Sequence, residues 1–146
     1  MTAVAAAAVA LPIPNAHFIW YCAWLSIPSA IYAYSHPASA HFAVVPASVC
    51  ATSLIYWRNP VMNSWRRTLD IVVVFSGLTY QTYYAFQYTN LAQTYTVLIC
   101  TSAMVYKFGY YLWTCGRVWP ATYAHASIHI MGNIGNLLLY ESVRHE

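Results

Sequence analysis

The chain has 146 residues, of which 60% are hydrophobic, 17% aromatic and only 6% charged, with a net charge of +3. A soluble domain carries about a quarter charged residues, and a single lysine (Lys107) with three carboxylates (Asp70, Glu141, Glu146) is too little to solvate a globule of this size. The composition therefore excludes an ordinary soluble fold and predicts an all-α, polytopic transmembrane helical bundle in one domain over 1–146, each helix satisfying its own backbone.

In chain order, the opening MTAVAAAAVALPIPN has an apolar run too short to span a bilayer, and it lacks the basic start of a signal peptide. It reads as an interfacial or packed arm over 1–16 that ends at Pro12 and Pro14. Five spans follow, near 17–34, 41–57, 68–87, 91–113 and 123–140, each close to the roughly 20 residues that a bilayer core demands. Pro28 and Pro46 predict kinks in the first two. A four-span reading requires losing the second segment, the shortest. Connections are short, SHPASA, RNPVMNSWRR, YTN and TCGRVWPAT, so successive helices are expected to be antiparallel neighbours.

Basic residues set the orientation. Arg58, Arg66 and Arg67 lie in the second connection and Arg117 in the fourth. With five spans these share a side with the N-terminus, which is expected inside, and the C-terminus opposite. The positive rim suits anionic headgroups and gives no sign of nucleic acid. The cysteines at 22, 50, 100 and 115 form no CxxC motif and read as small buried apolar residues.

The last span, YAHASIHIMGNIGNLLLY, carries His125, His129, Asn133, Asn136 and Tyr140 at steps of four, four, three and four, which puts them on one helical stripe. Facing lipid, such a stripe would be costly, so it is expected to face protein, water, a metal or a ligand. Depth sharpens the expectation. Asp70 opens the third span, Ser53 and Trp57 close the second, Lys107 is near the exit of the fourth, and His125 and His129 begin the fifth. Topology puts all of these in one leaflet.

Each residue also has a plainer reading. Lys107 snorkels to headgroups. Asp70 caps its helix or pairs with Arg66 or Arg67. Ser53 bonds a backbone carbonyl. Asn133 and Asn136, with Gly132 and Gly135, are interhelical packing. Two histidines at i, i+4 in so apolar a chain still suggest a shared partner: a metal, a carboxylate or a porphyrin-type ligand.

The stretch SLIYWRNPVMNSWRRTLDIVVVFSGLTY, with HASIH two spans later, resembles the CREST superfamily of seven-span membrane proteins, which includes alkaline ceramidases and the adiponectin- and progestin-receptor-like proteins. Its members show Ser-x-x-x-His at a helix end, an Arg-rich loop, an Asp opening the next helix and His-x-x-x-His in the last. The resemblance implies zinc held by histidines, with Asp and Ser assisting amide hydrolysis. Ser53 and Asp70 then match the catalytic pair, and His125 and His129 match two metal ligands. Trp57 stands where the first histidine ligand belongs, and five spans replace seven; two histidines make a poor zinc site unless Asp70 or His41 completes it.

Three functions fit these residues. The first is an integral membrane protein serving as a structural or accessory subunit of a membrane assembly, its partners being the lipid bilayer and other membrane subunits or further copies of itself. The second is a CREST-like, zinc-dependent membrane hydrolase of a lipid amide. The third is a channel or proton-transfer protein using the stripe as its path.

Overall fold

A computed structural model describes residues 10–87 and 89–145. The chain is all-α, with no strand among the described residues. The elements are α1 (Ile13–Ala23), α2 (Ser26–Tyr34), a 3-10 turn (Ala40–Ala43), α3 (Val44–Trp57), α4 (Trp65–Gln87), α5 (Thr89–Thr114) and α6 (Val118–Arg144). Residues 1–9 of the expected arm lie outside the described residues. Its remainder is packed: Ala10 N–H donates to the Pro60 carbonyl (3.0 Å), and Ala10 and Leu11 are buried beside Ile19, Tyr56 and Trp57.

Local chemistry sets the helix limits. The kink expected at Pro28 is a full break four residues earlier. Proline has no N–H to give the Trp24 carbonyl, so Ile27 N–H takes it (3.0 Å), and Trp24 and Leu25 make i→i−3 bonds. Pro46 does not kink the second segment as expected; it sits in the first turn of α3, where a missing N–H costs nothing. Ser64, not Asp70, caps α4, its Oγ accepting from Arg67 N–H (3.3 Å). Asp70 therefore sits a full turn inside the helix. Helix α5 ends in a Schellman motif: Gly116 has φ +73, its N–H reaches the Trp113 carbonyl and Arg117 N–H the Leu112 carbonyl. Helix α6 then starts at Val118, five residues before the expected boundary.

The helices run up and down in a closed ring. Helices α1 and α2, taken as one broken rod, touch α3 and α6; α3 touches α4, α4 touches α5, and α5 touches α6. At Gly77 an added Cβ would stand 2.7 Å from Val45 Cγ1, so only glycine permits this approach of α3 to α4. The apolar core is in two parts. One, at the arginine end, joins Leu11, Ile19, Tyr56 and Trp57. The other, at the tail end, joins Phe42, Tyr95, Leu139 and Tyr140. The segment Ala40–Trp57 is long and apolar enough to cross a membrane, with a mean hydropathy of 1.3.

Candidate functional site

The arginine end holds most of the side chains singled out above. The last two turns of α3 present Thr52, Ser53 and Trp57; α4 presents Asp70 one turn in; α6 presents His125 and His129. Ser53 Oγ donates to Asp70 Oδ1 (2.8 Å), and Thr52 Oγ1 donates to the same oxygen (3.0 Å). The expected pairing of Asp70 with Arg66 or Arg67 is absent among the described ion pairs, and two hydroxyls take its place. The plainer expectation for Ser53, a backbone bond, gives way to the carboxylate as well.

Asp70 and His125 line one cavity of about 180 Å³, together with Tyr56, Trp57, Arg67 and Tyr106. The His129 ring lies one helical turn farther along α6, 5.8 Å from that of His125 and outside the cavity wall. The sequence thus brought Ser53, Asp70 and His125 to one place, with His129 stacked behind. Lys107 is exposed and does not join them.

The ring of Trp57 lies 4.8 Å from that of His125, centroid to centroid, so an indole fills the space next to the histidine pair. His41 is at the other end of the bundle, 5.3 Å from the Tyr84 ring, and cannot complete a site with Asp70. Among the described residues no three His, Cys, Asp or Glu side chains gather around one point. The described residues do not make a zinc centre of three protein ligands.

Among the described residues, two buried side-chain polar atoms have no hydrogen-bond partner: Trp57 Nε1 and His129 Nε2. Such atoms are uncommon in native structures, and each calls for a cause. No such atom is found in the rest of the stripe. Asn133 Oδ1 accepts from Ser29 Oγ (2.6 Å), and its Nδ2 donates to the His129 carbonyl (2.7 Å). Tyr140 is fully buried, its hydroxyl accepting from Gln81 Nε2 (3.0 Å), while Gln81 Oε1 accepts from Tyr95 (3.0 Å). Asn136 is half-buried and makes no side-chain hydrogen bond among the described residues.

The glycine face divides. Gly135 is buried against Tyr95 and Leu98, as a packing role requires, whereas Gly132 is exposed with open space around it. The expectation of a packed Gly132 is corrected: it lies about 60° around the helix from Gly135, on the side away from α5.

Sequence reasoning missed Arg67 and Tyr106 as cavity residues and Gln81 and Thr52 as network residues. Two signals were available. Arg67 precedes Asp70 by three residues and so shares its helix face, and Gln81 is the only amide inside α4, Gln87 being its last residue. Comparisons of the chain with family models, with curated proteins and with solved structures find no match.

Proposed function

We propose that the chain is a polytopic membrane protein of five spans, with its arginine end inside, serving as a structural or accessory subunit of a larger membrane assembly. The broken rod α1–α2 is the first span, and α3, α4, α5 and α6 are the others. One observation carries this reading. From Ile71 to Tyr106 the sequence has no Asp, Glu, Lys or Arg, and the outward faces there carry Val72, Phe75, Phe86, Val97 and Met104, each more than half exposed. In water this would be an apolar patch far larger than monomeric proteins tolerate; in lipid it is the expected surface. Tyrosines, threonines and glutamines lower the hydropathy of α4 to α6, so among the described residues only Ala40–Trp57 is apolar enough to cross a membrane by length and hydropathy alone.

The stripe on α6 supports a packing role over a polar path, because Asn133 and Tyr140 are engaged by Ser29 and Gln81. The likeness to CREST proteins enters as an arrangement without its centre: the Ser53–Asp70 bond favours it, and Trp57 against His125 argues against hydrolysis by metal.

The test is topological and compositional. The protein should resist alkaline extraction, with reporters on the N-terminus and on the Arg58–Arg67 connection on one side and the C-terminus on the other. Both termini on one side would refute the five-span count. Mild solubilisation should recover a stoichiometric partner or a defined oligomer, with zinc well below one per chain. One zinc per monomeric chain would instead favour the hydrolase.

A further inference from the structure

Two side chains of opposite charge face the cavity at the arginine end without pairing. Arg67 and Asp70 lie three residues apart on α4, and both line it. Each is held elsewhere by the protein. Arg67 Nη1 donates to the Met62 carbonyl (3.4 Å), and Asp70 Oδ1 accepts from Thr52 and Ser53. Among the described residues Asp70 Oδ2 is left without a protein partner, and the guanidinium keeps further N–H groups beyond those that face the Met62 carbonyl and the Tyr56 hydroxyl. The wall between them is aromatic and continuous: Tyr56 to Trp57 at 4.8 Å, Trp57 to His125 at 4.8 Å, His125 to Tyr106 at 6.2 Å. Trp57 is only 6% exposed, and its indole nitrogen is sealed from the cavity.

The charges select the ligand. A simple anion would satisfy Arg67 but press against the Asp70 carboxylate. A simple cation would satisfy Asp70 and the rings but face the guanidinium. Either leaves one charge unmatched in apolar surroundings, which is costly. Only a molecule with both charges matches the whole wall. A cavity of about 180 Å³ holds the volume of roughly six waters, enough for a lipid headgroup and too little for its acyl chains.

We propose that this cavity seats a zwitterionic ammonium–phosphate group of the phosphocholine kind. Its phosphate oxygens accept from Arg67, and its ammonium lies against Asp70 and the rings of Tyr56 and Tyr106. Recognition of a quaternary ammonium by aromatic faces is a cation–π interaction, strengthened where water is excluded. The seat does not require the membrane reading; only the assignment of a lipid as its source rests on it.

The experiment uses the full chain in a maltoside detergent and then in vesicles. Soluble phosphocholine is titrated by calorimetry, with choline chloride and inorganic phosphate as separate ligands. Vesicles of phosphatidylcholine or phosphatidylglycerol supply the lipid arm, with retained lipid counted by native mass spectrometry. Phosphatidylcholine should be retained over phosphatidylglycerol, and choline or phosphate alone should bind at least tenfold more weakly than phosphocholine. Arg67→Gln should weaken binding about tenfold, the scale of one charge-assisted hydrogen bond. Trp57→Phe, whose lost N–H is sealed from the cavity, should change binding less than about twofold, and Asp70→Asn should abolish the preference for the zwitterion over phosphate. Each variant is checked by circular dichroism, and Arg67→Gln, at the rim, keeps the test available if Asp70→Asn does not fold. Retention from vesicles alone assigns the seat to a lipid; binding of soluble phosphocholine as well assigns it to the headgroup. Equal retention of the two lipids, no saturable binding in either arm, or binding unchanged in Arg67→Gln overturns the proposal. A chain that fails to float with vesicles refutes the membrane reading, and the soluble arm still decides the seat.

Discussion

Gln81 and Trp57 are buried almost equally, at 2% and 6% exposure, at opposite ends of one helical ring. Gln81 has both ends of its amide engaged, by Tyr140 and Tyr95. Trp57 has a donor and nothing to give it to. The Gln81 amide joins α4, α5 and α6, and such a network fixes how three helices sit against one another. The arginine end leaves the indole nitrogen of Trp57 without a partner among the described residues. Both ends are polar groups set in apolar surroundings; one answers its buried amide from within, and the other leaves a buried donor unanswered.

That contrast can be broken by mutation. The largest effect is expected at the Gln81 end. Gln81→Leu should lower stability by about 2–4 kcal/mol, because two buried hydroxyls lose their partner at once. Adding Tyr95→Phe and Tyr140→Phe should recover most of the loss in thermal unfolding; no recovery would mean that shape, not hydrogen bonding, holds that end. Next, Gly135→Leu should cost about 1–3 kcal/mol by overpacking α6 against Tyr95 and Leu98, whereas Gly132→Leu should stay within about 0.5 kcal/mol. Equal losses for the two would undo the assignment of faces on α6.

At the arginine end effects should be smaller. Ser53→Ala should cost about 1 kcal/mol, since Thr52 still serves Asp70 Oδ1. Combining it with Thr52→Val should cost more than the two single losses together, as the carboxylate is then left bare; simple additivity would show that the hydroxyls do not share it. The smallest effect concerns Glu141 at the rim of the tail end. Hydrogen bonds, first from Tyr32 and then from His145, hold its carboxyl below the usual glutamate range. A carboxyl depressed in the folded state stabilises above its unfolded pKa, about 4.3, and loses that contribution as pH falls through the lower folded value. Melting should therefore drop slightly between pH 5 and the acid limit, and Tyr32→Phe should flatten the drop. An unchanged profile in that variant would remove Tyr32 as the cause.

Much of this was legible in the residues. The four-residue steps from His125 to Asn133, and Tyr140 beyond, announced an inward stripe because no other placement satisfies them in an apolar bundle. Short connections gave antiparallel neighbours, and these brought Ser53, Asp70 and His125 to one end. The same logic was available for His41: it begins the segment that Trp57 ends, so it lies at the opposite end from Asp70. What the sequence withheld depends on side-chain geometry across helices. The turn-long offset that makes Ser64 the cap of α4 frees Asp70 for Thr52 and Ser53, and nothing local to Asp70 reveals it. Trp57 reads in the sequence as a missing ligand, whereas in space its indole is a wall and an unused donor. Gly132 and Gly135 look alike in a string and differ by a small rotation that only the position of α5 decides.

Asn15 donates to Thr122 in a buried contact of 3.0 Å between residues 107 positions apart. At synthesis rates of about 5–20 residues per second, the amide waits roughly 5–20 seconds for its acceptor. During that interval the first helix has emerged with a polar group near its start and no helix to receive it. Full seating of the first helix is thus timed by the last one, and a chain truncated before α6 would expose that unanswered amide to quality control. The earlier helix reports whether the later one has arrived.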